Sequence, residues 1–167
     1  MAGDRAFEEI VREHAPLITR IASTYERRPA LIEELSQEIL LALHRALPGF
    51  RAEASLRTFI ARIAHNVGVD HVRKATRRPR EAPDEALAQT PDDGDGPDRQ
   101  AERAIARDRL LAAVRRLPVA SRQVVSLHLE GFEGVEIADA LGLSAGNVRV
   151  RLHRARDALK QIMEADR

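Results

Sequence analysis

The 167-residue sequence lacks cysteine and tryptophan, and aromatic residues make up only 3% of it. A chain without cysteine forms no disulfide, thiolate metal site, iron–sulfur cluster or thiol nucleophile, which excludes the protein classes that depend on them. Residues that favour strands are also scarce, whereas Ala, Leu, Arg and Glu, which favour helices, are abundant. We therefore expect an all-α protein from a reducing, cytoplasmic compartment.

Long hydrophobic runs are missing as well. Apolar stretches such as residues 39–43 are far shorter than the ~20 residues that a membrane-spanning helix needs. The N-terminal residues do not combine the basic and apolar segments of a secretory signal. The sequence predicts a soluble protein that is not exported and does not insert into a membrane.

Charge is balanced in number, with 27 basic and 26 acidic residues, but the two signs are segregated along the chain. Five basic and no acidic residues lie between 71 and 80, and seven acidic and no basic residues follow between 81 and 98. A second basic block, at 149–160, contains Asp157 as its one acidic member. Two basic blocks on either side of an acidic connector are typical of a nucleic-acid-binding protein with two contact modules, although solvated helix faces give a similar pattern.

The spacing of apolar residues predicts three N-terminal helices, because positions three and four apart recur at about 4–24, 31–46 and 56–72. Ser55 is a suitable N-cap for the third helix, which should end before Pro79. The periodicity disappears between 76 and 100, where proline, glycine and aspartate accumulate, so we predict a flexible acidic linker there. The predicted architecture is two small helical domains, at 1–75 and 101–167, joined by this linker.

Four more helices are predicted after the linker, with approximate bounds of 99–117, 121–130, 135–141 and 145–164. The last two are separated by Gly142, which tolerates the positive φ of a tight turn, and by Ser144, which suits a helix N-cap. This arrangement is typical of a helix-turn-helix motif, whose second helix enters the major groove of DNA.

The sequence resembles the extracytoplasmic-function sigma factors of the sigma-70 family in two places. The family's promoter-melting domain is similar to the strings EELSQEI at 33–39, PGFR at 48–51 and SLRTFIARIAHN at 55–66. Its domain for the minus-thirty-five element is similar to RLP at 116–118, SRQV at 121–124, EIA at 136–138, LGLS at 141–144 and VRVRLHRAR at 148–156. The two matches occur in the family's order and cover most of the chain outside the linker.

The resemblance implies a sigma factor that directs core RNA polymerase to specific promoters, in a stress response and under an anti-sigma factor. It implies no enzyme activity and no cofactor, a monomer when free, and no metal site. The polymerase contacts carried over are Glu34, Gln37 and Glu38. The minus-ten contacts are Phe50, Arg51, Ser55, Asn66, Asp70, His71, Arg73 and Lys74. The minus-thirty-five contacts are Ser144, Asn147, Arg149, Val150, Arg151, His153, Arg154 and Arg156.

The cations of the last helix are expected to divide their roles, because residues about 100° apart around an axis cannot all face one groove. We assign Asn147 and Arg149 to base edges and Val150 to a thymine methyl group. The remaining arginines of the helix are assigned mainly to phosphates. In the first domain, Asp70 has an alternative role as a tether for a neighbouring cation.

Other interpretations of these residues stay open at this point. A dimeric helix-turn-helix repressor or activator without sigma activity would bind two duplex half-sites. A decoy that sequesters a regulator would not need the arginines of the last helix. A catalytic carboxylate pair at Glu34 and Glu38 is disfavoured, because no histidine, cysteine or glycine-rich loop stands at a fixed spacing beside it.

Overall fold

The computed structural model describes residues 2–77 and 97–166, which are mainly helical and contain no β-strand, so the all-α prediction is confirmed. The first domain contains α1 (Ala2–Ser23), α2 (Pro29–Ala46), a 3₁₀ turn (Leu47–Gly49) and α3 (Leu56–Arg77). The second domain contains α4 (Pro97–Arg116), α5 (Val119–Leu129), α6 (Gly134–Leu141) and α7 (Ala145–Ala165).

Local signals explain most of the helix ends. The hydroxyl of Ser55 accepts the backbone N–H of Thr58 at 3.1 Å, as expected of the predicted cap of α3. The start of α5 differs from the prediction, since the helix begins at Val119 and not near Ser121. The carbonyl of Pro118 accepts the N–H groups three and four residues later, both at 2.9 Å, and so opens the helix earlier.

Most of the predicted acidic linker, residues 78–96, lies outside the described residues. Residues 76–77 and 97–100, which the sequence assigned to the linker, are helical because α3 continues to Arg77 and α4 begins at Pro97. Proline suits the first turn of a helix, where its missing N–H would have no intrahelical partner. Both helices therefore extend into the range that the sequence assigned to the linker.

The core of the first domain is built from one apolar stripe of each helix. Its fully buried members are Ile18, Ile21, Leu35, Ile39, Leu43 and Ile60. Burying a side chain of this size stabilises a fold by about 1.5–3 kcal/mol relative to leaving it exposed. Because these stripes face inward, the polar faces of α2 and α3 face outward and are available to partners.

A polar pair is buried in this core. The hydroxyl of Tyr25 lies 2.5 Å from Nδ1 of His65, and the two rings meet edge to face. Burial lowers the pKa of His65 to about 3, so the imidazole is neutral at physiological pH. Gly68 lies against the Tyr25 ring, and a Cβ at this position would approach Cε2 of Tyr25 to 2.5 Å. A glycine is therefore what allows α3 to pack this closely.

The second domain has an apolar cluster of its own, formed by Val114, Leu117, Val125 and Ala155. Arg122 is almost fully buried, and its Nη2 donates to the carbonyls of Arg115 at 2.5 Å and Leu117 at 3.1 Å. These carbonyls lie at the C-terminal end of α4, where no helical N–H remains to bond them. Arg122 thus fixes α5 against the end of α4.

The two domains pack against each other through α3, which contacts both α5 and α6. One buried cluster continues from Ile60 and Ala64 of α3 to Phe132 and Ile137 of the second domain. The sequence left the relative placement of the domains open. The tertiary structure brings the helix-turn-helix to the side of the first domain.

Candidate nucleic-acid interface

The loop between the 3₁₀ turn and α3 forms one wall of a cleft of about 320 Å³. Phe50 and Phe59 lie side by side in it, with ring centroids 4.9 Å apart and planes tilted by 46°. The lining residues are Gly49, Phe50, Arg51, Glu53, Ala54, Phe59, Arg62 and Asp139. Aromatic rings with cations beside them are the combination that holds unstacked bases.

The polar face of α3 continues from this cleft. At about 100° per residue, Arg62, Asn66 and Arg73 lie within roughly 40° of one another, and all three are exposed. Asp70 lies beside them, with its Oδ1 3.7 Å from Nη1 of Arg73. This contact fits the tether suggested for Asp70, although a pair this exposed contributes little to stability. Lys74 is also exposed.

Two of the predicted minus-ten residues are engaged inside the first domain. Nε2 of His71 lies 3.2 Å from Oε2 of Glu26. Burial raises the pKa of Glu26, but hydrogen bonds from His71 and Arg28 outweigh it and lower that pKa to about 2. The hydroxyl of Ser55 also donates to Oγ1 of Thr58 at 2.9 Å. Both side chains are therefore engaged in contacts within the first domain.

The predicted polymerase contacts lie together on the exposed face of α2. Glu34, Gln37 and Glu38 are all exposed there, opposite the buried stripe of the helix. Leu41 falls on the same face, between Gln37 and Glu38 in angle, and is 58% exposed. An apolar centre with a polar rim is typical of a protein-binding surface. Sequence reasoning missed Leu41, because a leucine within an apolar run resembles a core residue.

The turn of the helix-turn-helix has the predicted geometry. Gly142 has a φ of 66° and ends α6 in the left-handed conformation that favours glycine. The hydroxyl of Ser144 accepts the N–H of Asn147 at 3.1 Å and so caps α7. Val148 of α7 is buried on the inner side of that helix. These contacts fix α7 so that its opposite side faces solvent.

The exposed side of α7 carries the predicted minus-thirty-five residues. Arg149 and Arg154 are exposed, and among the described residues the side chain of neither makes a hydrogen bond or an ion pair. Nε of Arg151 donates to Oδ1 of Asn147 at 2.8 Å, which joins a predicted phosphate contact to a predicted base contact. Val150 is 48% exposed, so its side chain is accessible to a partner.

Two further members of the predicted set are bound within the second domain. Nε2 of His153 lies 3.5 Å from Oδ2 of Asp157, one helical turn away. Nη2 of Arg156 lies 2.9 Å from Nε2 of His128, which accepts the hydrogen bond. Arg156 therefore contacts α5.

Sequence reasoning missed two arginines of α3. Nη2 of Arg62 donates to the carbonyl of Asp139 at 2.6 Å. Arg57 donates to the carbonyl of Glu130, and its guanidinium lies 3.9 Å above the ring of Phe132. Arg62 lies four positions before Asn66, a helical spacing that could have identified it as a member of the same face. The role of Arg57 depends on a partner 73 positions away and left no local signal.

Neither a metal site nor a membrane span is found in the part of the chain that the structure describes. No group of three or more His, Asp or Glu side chains in residues 2–77 and 97–166 could hold a metal ion. No helix in the same ranges is long and apolar enough to cross a membrane.

Both halves of the chain match known sequence families. The family described as Sigma-70 region 2 matches residues 10–78, and the family described as Sigma-70, region 4 matches residues 107–159. The chain is 33% identical to the ECF RNA polymerase sigma factor SigM of Mycobacterium tuberculosis, over 98% of its own length and 80% of that protein. The chain belongs to the extracytoplasmic-function sigma factors. It is also 32% identical to the sigma factor SigD of Mycobacterium bovis, over 96% of this chain and 78% of that one.

Solved structures resemble this sigma factor along almost its whole length. CnrH, in complex with the cytosolic domain of CnrY, matches with a TM-score of 0.69 and 25% identity, over 98% of this chain and 91% of CnrH. The sigma factor RpoE of Bartonella quintana, in complex with the anti-sigma factor NepR, matches with a TM-score of 0.73, over 98% and 99% of the two chains. Its identity of 20% shows a shared fold.

Family membership decides among the interpretations that the sequence left open. The protein is a sigma factor that acts in transcription initiation, which confirms the main prediction over the dimeric repressor or activator. Sigma factors are regulators of initiation and not enzymes, so the prediction of no enzyme activity is confirmed as well. RNA polymerase and DNA follow from the family as partners. The roles of individual residues stay predictions.

Proposed function

We propose that this sigma factor divides promoter recognition among three surfaces. The exposed face of α2 binds core RNA polymerase, the cleft at Phe50 and Phe59 holds melted minus-ten DNA, and α7 reads the minus-thirty-five element. The observation that carries the proposal is the cleft itself. It combines two aromatic rings with arginines and opens beside the polar face of α3.

At the minus-ten element, one base leaves the stack and enters the cleft, where Phe50 and Phe59 replace its stacking partners. Stacking of this kind is worth about 1–3 kcal/mol per base. Arg73 and Lys74 are exposed farther along α3 and track the phosphates, while Asn66 offers an amide to a base edge. Ser55 and His71 act indirectly, since their hydrogen bonds hold the start and the middle of α3 in place.

At the minus-thirty-five element, Arg149 reads a base edge from the N-terminal part of α7, and the exposed Val150 contacts a thymine methyl group. Arg151 is held by Asn147, so the two act as a unit, with the guanidinium on a phosphate and the amide nitrogen free for a base. Arg154 contacts a phosphate. His153 and Arg156 have smaller roles, because their side chains contact Asp157 and His128 within the second domain.

The complexes of structurally similar proteins suggest how this sigma factor is regulated. RpoE of Bartonella quintana is bound to an anti-sigma factor, and we extend this class of partner to the present chain. We also propose that the free sigma factor is a monomer, acts in the cytoplasm where core polymerase and promoters lie, and serves a stress response.

Transcription in vitro with core RNA polymerase tests the proposal. Wild-type protein should initiate at its promoters, and Gln37→Ala combined with Glu38→Arg should lose core binding while keeping its fold. Glu102→Arg is the matched control, because it changes the same charge at an exposed position of α4. Binding of core polymerase by the double variant at wild-type strength contradicts the assignment of the α2 face.

Leu41 tests the same face without changing charge. Leu41→Ala should weaken core binding by roughly tenfold, because a central apolar contact of an interface is lost. Ile105→Ala is the control, since Ile105 is 55% exposed on α4, similar to Leu41. Equal losses of core binding from both variants would show that the effect does not come from the α2 face.

A further inference from the structure

A hydrogen bond between two side chains of α7 fixes the orientation of an amide. Nε of Arg151 donates to Oδ1 of Asn147 at 2.8 Å, and the two residues lie four positions apart on the helix. A guanidinium has only N–H donors, so the atom that faces it must be the amide oxygen and not the amide nitrogen. The other end of the amide, Nδ2, has no hydrogen-bond partner in the part of the chain that the structure describes.

Asn147 lies at the end of α7 where a recognition helix meets base edges. It is exposed in the first turn of the helix, and its backbone N–H donates to the hydroxyl of Ser144. At about 100° per residue, Asn147, Val150 and Arg154 lie within roughly 60° of one another, and all three are exposed. The amide therefore belongs to the face of α7 that is open to a partner.

The engaged oxygen changes which base the amide suits. An unbound asparagine amide pairs with adenine, because its oxygen accepts from the N6 amino group while its nitrogen donates to N7. In this chain the oxygen already accepts from a cation, and the guanidinium beside it carries further N–H donors. An amino group of adenine or cytosine would meet donors and positive charge at that point. Guanine instead presents two acceptors, O6 and N7, in the major groove.

We propose that Arg151 is a positioning residue that sets the base preference of Asn147 to guanine at one position of the minus-thirty-five element. Nδ2 of Asn147 donates to O6 or N7 of the base, and Arg151 holds the amide in the orientation that this contact needs. The remaining nitrogens of Arg151 stay available to a phosphate. The inference rests on the proposed role of α7 in reading this element, and it adds the chemical class of base that the helix selects.

The test is a set of binding titrations of the holoenzyme to duplex promoters that carry each of the four bases at every position of the minus-thirty-five element. Wild-type protein should prefer guanine over adenine by about tenfold at one position, and Asn147→Ala should lose that preference. Arg151→Ala frees Oδ1 for the adenine N6 amino group, so it should lower the ratio of guanine to adenine affinity at this position by about tenfold. Arg151→Lys retains a donor for Oδ1 and should keep the wild-type ratio.

Arg154→Ala is the matched control, because it removes an exposed arginine of the same face that does not contact Asn147. It should weaken binding to all duplexes alike and leave the ratio of guanine to adenine affinity unchanged. Inosine presents the same O6 and N7 acceptors as guanine in the major groove and should bind as well as guanine at this position. Thermal unfolding checks that each variant is folded.

An unchanged ratio in Arg151→Ala overturns the inference, and so does a wild-type preference for adenine at the position that depends on Asn147. Inosine that binds like adenine would show that the preference does not come from the major-groove edge, and base preferences that Asn147→Ala leaves intact at every position would show that Asn147 reads no base. If Asn147→Ala, Arg151→Ala and Arg154→Ala all retain wild-type affinity for every duplex, the proposed role of α7 is itself wrong.

Discussion

The two helices proposed to face DNA, α3 and α7, both carry arginines, but these arginines have different surroundings. On α7, Arg149 and Arg154 are exposed and have no partner among the described residues. On α3, Arg57 and Arg62 donate to backbone carbonyls of the second domain. A helix that reads duplex DNA needs only an open face, whereas a site for a single strand needs an accessible cleft. The exposed arginines of α7 are therefore open to a partner, whereas these two arginines of α3 are already engaged within the protein.

The packing beneath the two helices differs as well. α3 rests on a tight site, where Gly68 touches the Tyr25 ring and His65 is buried without charge. α7 begins at a loosely packed end, where Gly146 has open space around it. An added methyl group therefore meets the core beneath α3 at Gly68 but meets almost nothing at the start of α7 at Gly146.

The largest expected effect comes from breaking the packing under α3. Gly68→Ala places a methyl group 2.5 Å from Cε2 of Tyr25, whose ring is buried in the core. We expect the free energy of unfolding to fall by about 3 kcal/mol, as measured by urea denaturation. Gly146→Ala is the control on α7, where the nearest heavy atom lies 4.0 Å from the new methyl group, and it should not destabilise the protein. Similar stabilities of the two variants would contradict this difference in packing.

Because His65 is buried in the first domain, we predict that the stability of this domain depends on pH. Burial lowers the pKa of His65 from 6.5 to about 3. Between these two pH values, His65 is protonated in the unfolded chain and neutral in the folded protein. The stability due to neutral His65 is complete above pH 6.5 and is lost as the pH falls toward 3, by about 1.4 kcal/mol per pH unit. Urea denaturation at a series of pH values measures this slope. His65→Gln should flatten it, and an unchanged slope would assign the dependence to other groups.

On α7, the expected effect of Arg149→Ala is a loss of base recognition. Removing a base contact should cost about 1–3 kcal/mol and relax the preference at one position of the minus-thirty-five element. Binding titrations of the holoenzyme over promoter variants measure both quantities. A loss that is equal for every promoter variant would show that Arg149 contacts only the backbone of DNA.

Arg154→Ala is the matched variant with the smallest expected effect. Loss of a phosphate contact should weaken all promoters alike and reduce the slope of log affinity against log salt by about one unit. The same titrations at several salt concentrations test this expectation. Losses that depend on the promoter sequence would show that Arg154 contacts a base and not a phosphate.

The sequence by itself determined the helices, the cap at Ser144, the turn at Gly142 and the polar faces of α2 and α7, because periodicity and capping act over a few residues. The resemblance of its motifs to those of sigma factors predicted the family, and the matches to known sigma factors confirm it. Only the tertiary structure decided that Leu41 is exposed, that His71 turns to Glu26, and that Arg57 and Arg62 are held by the second domain. The last three contacts join residues 45 to 77 positions apart, and no local pattern encodes a partner at that separation.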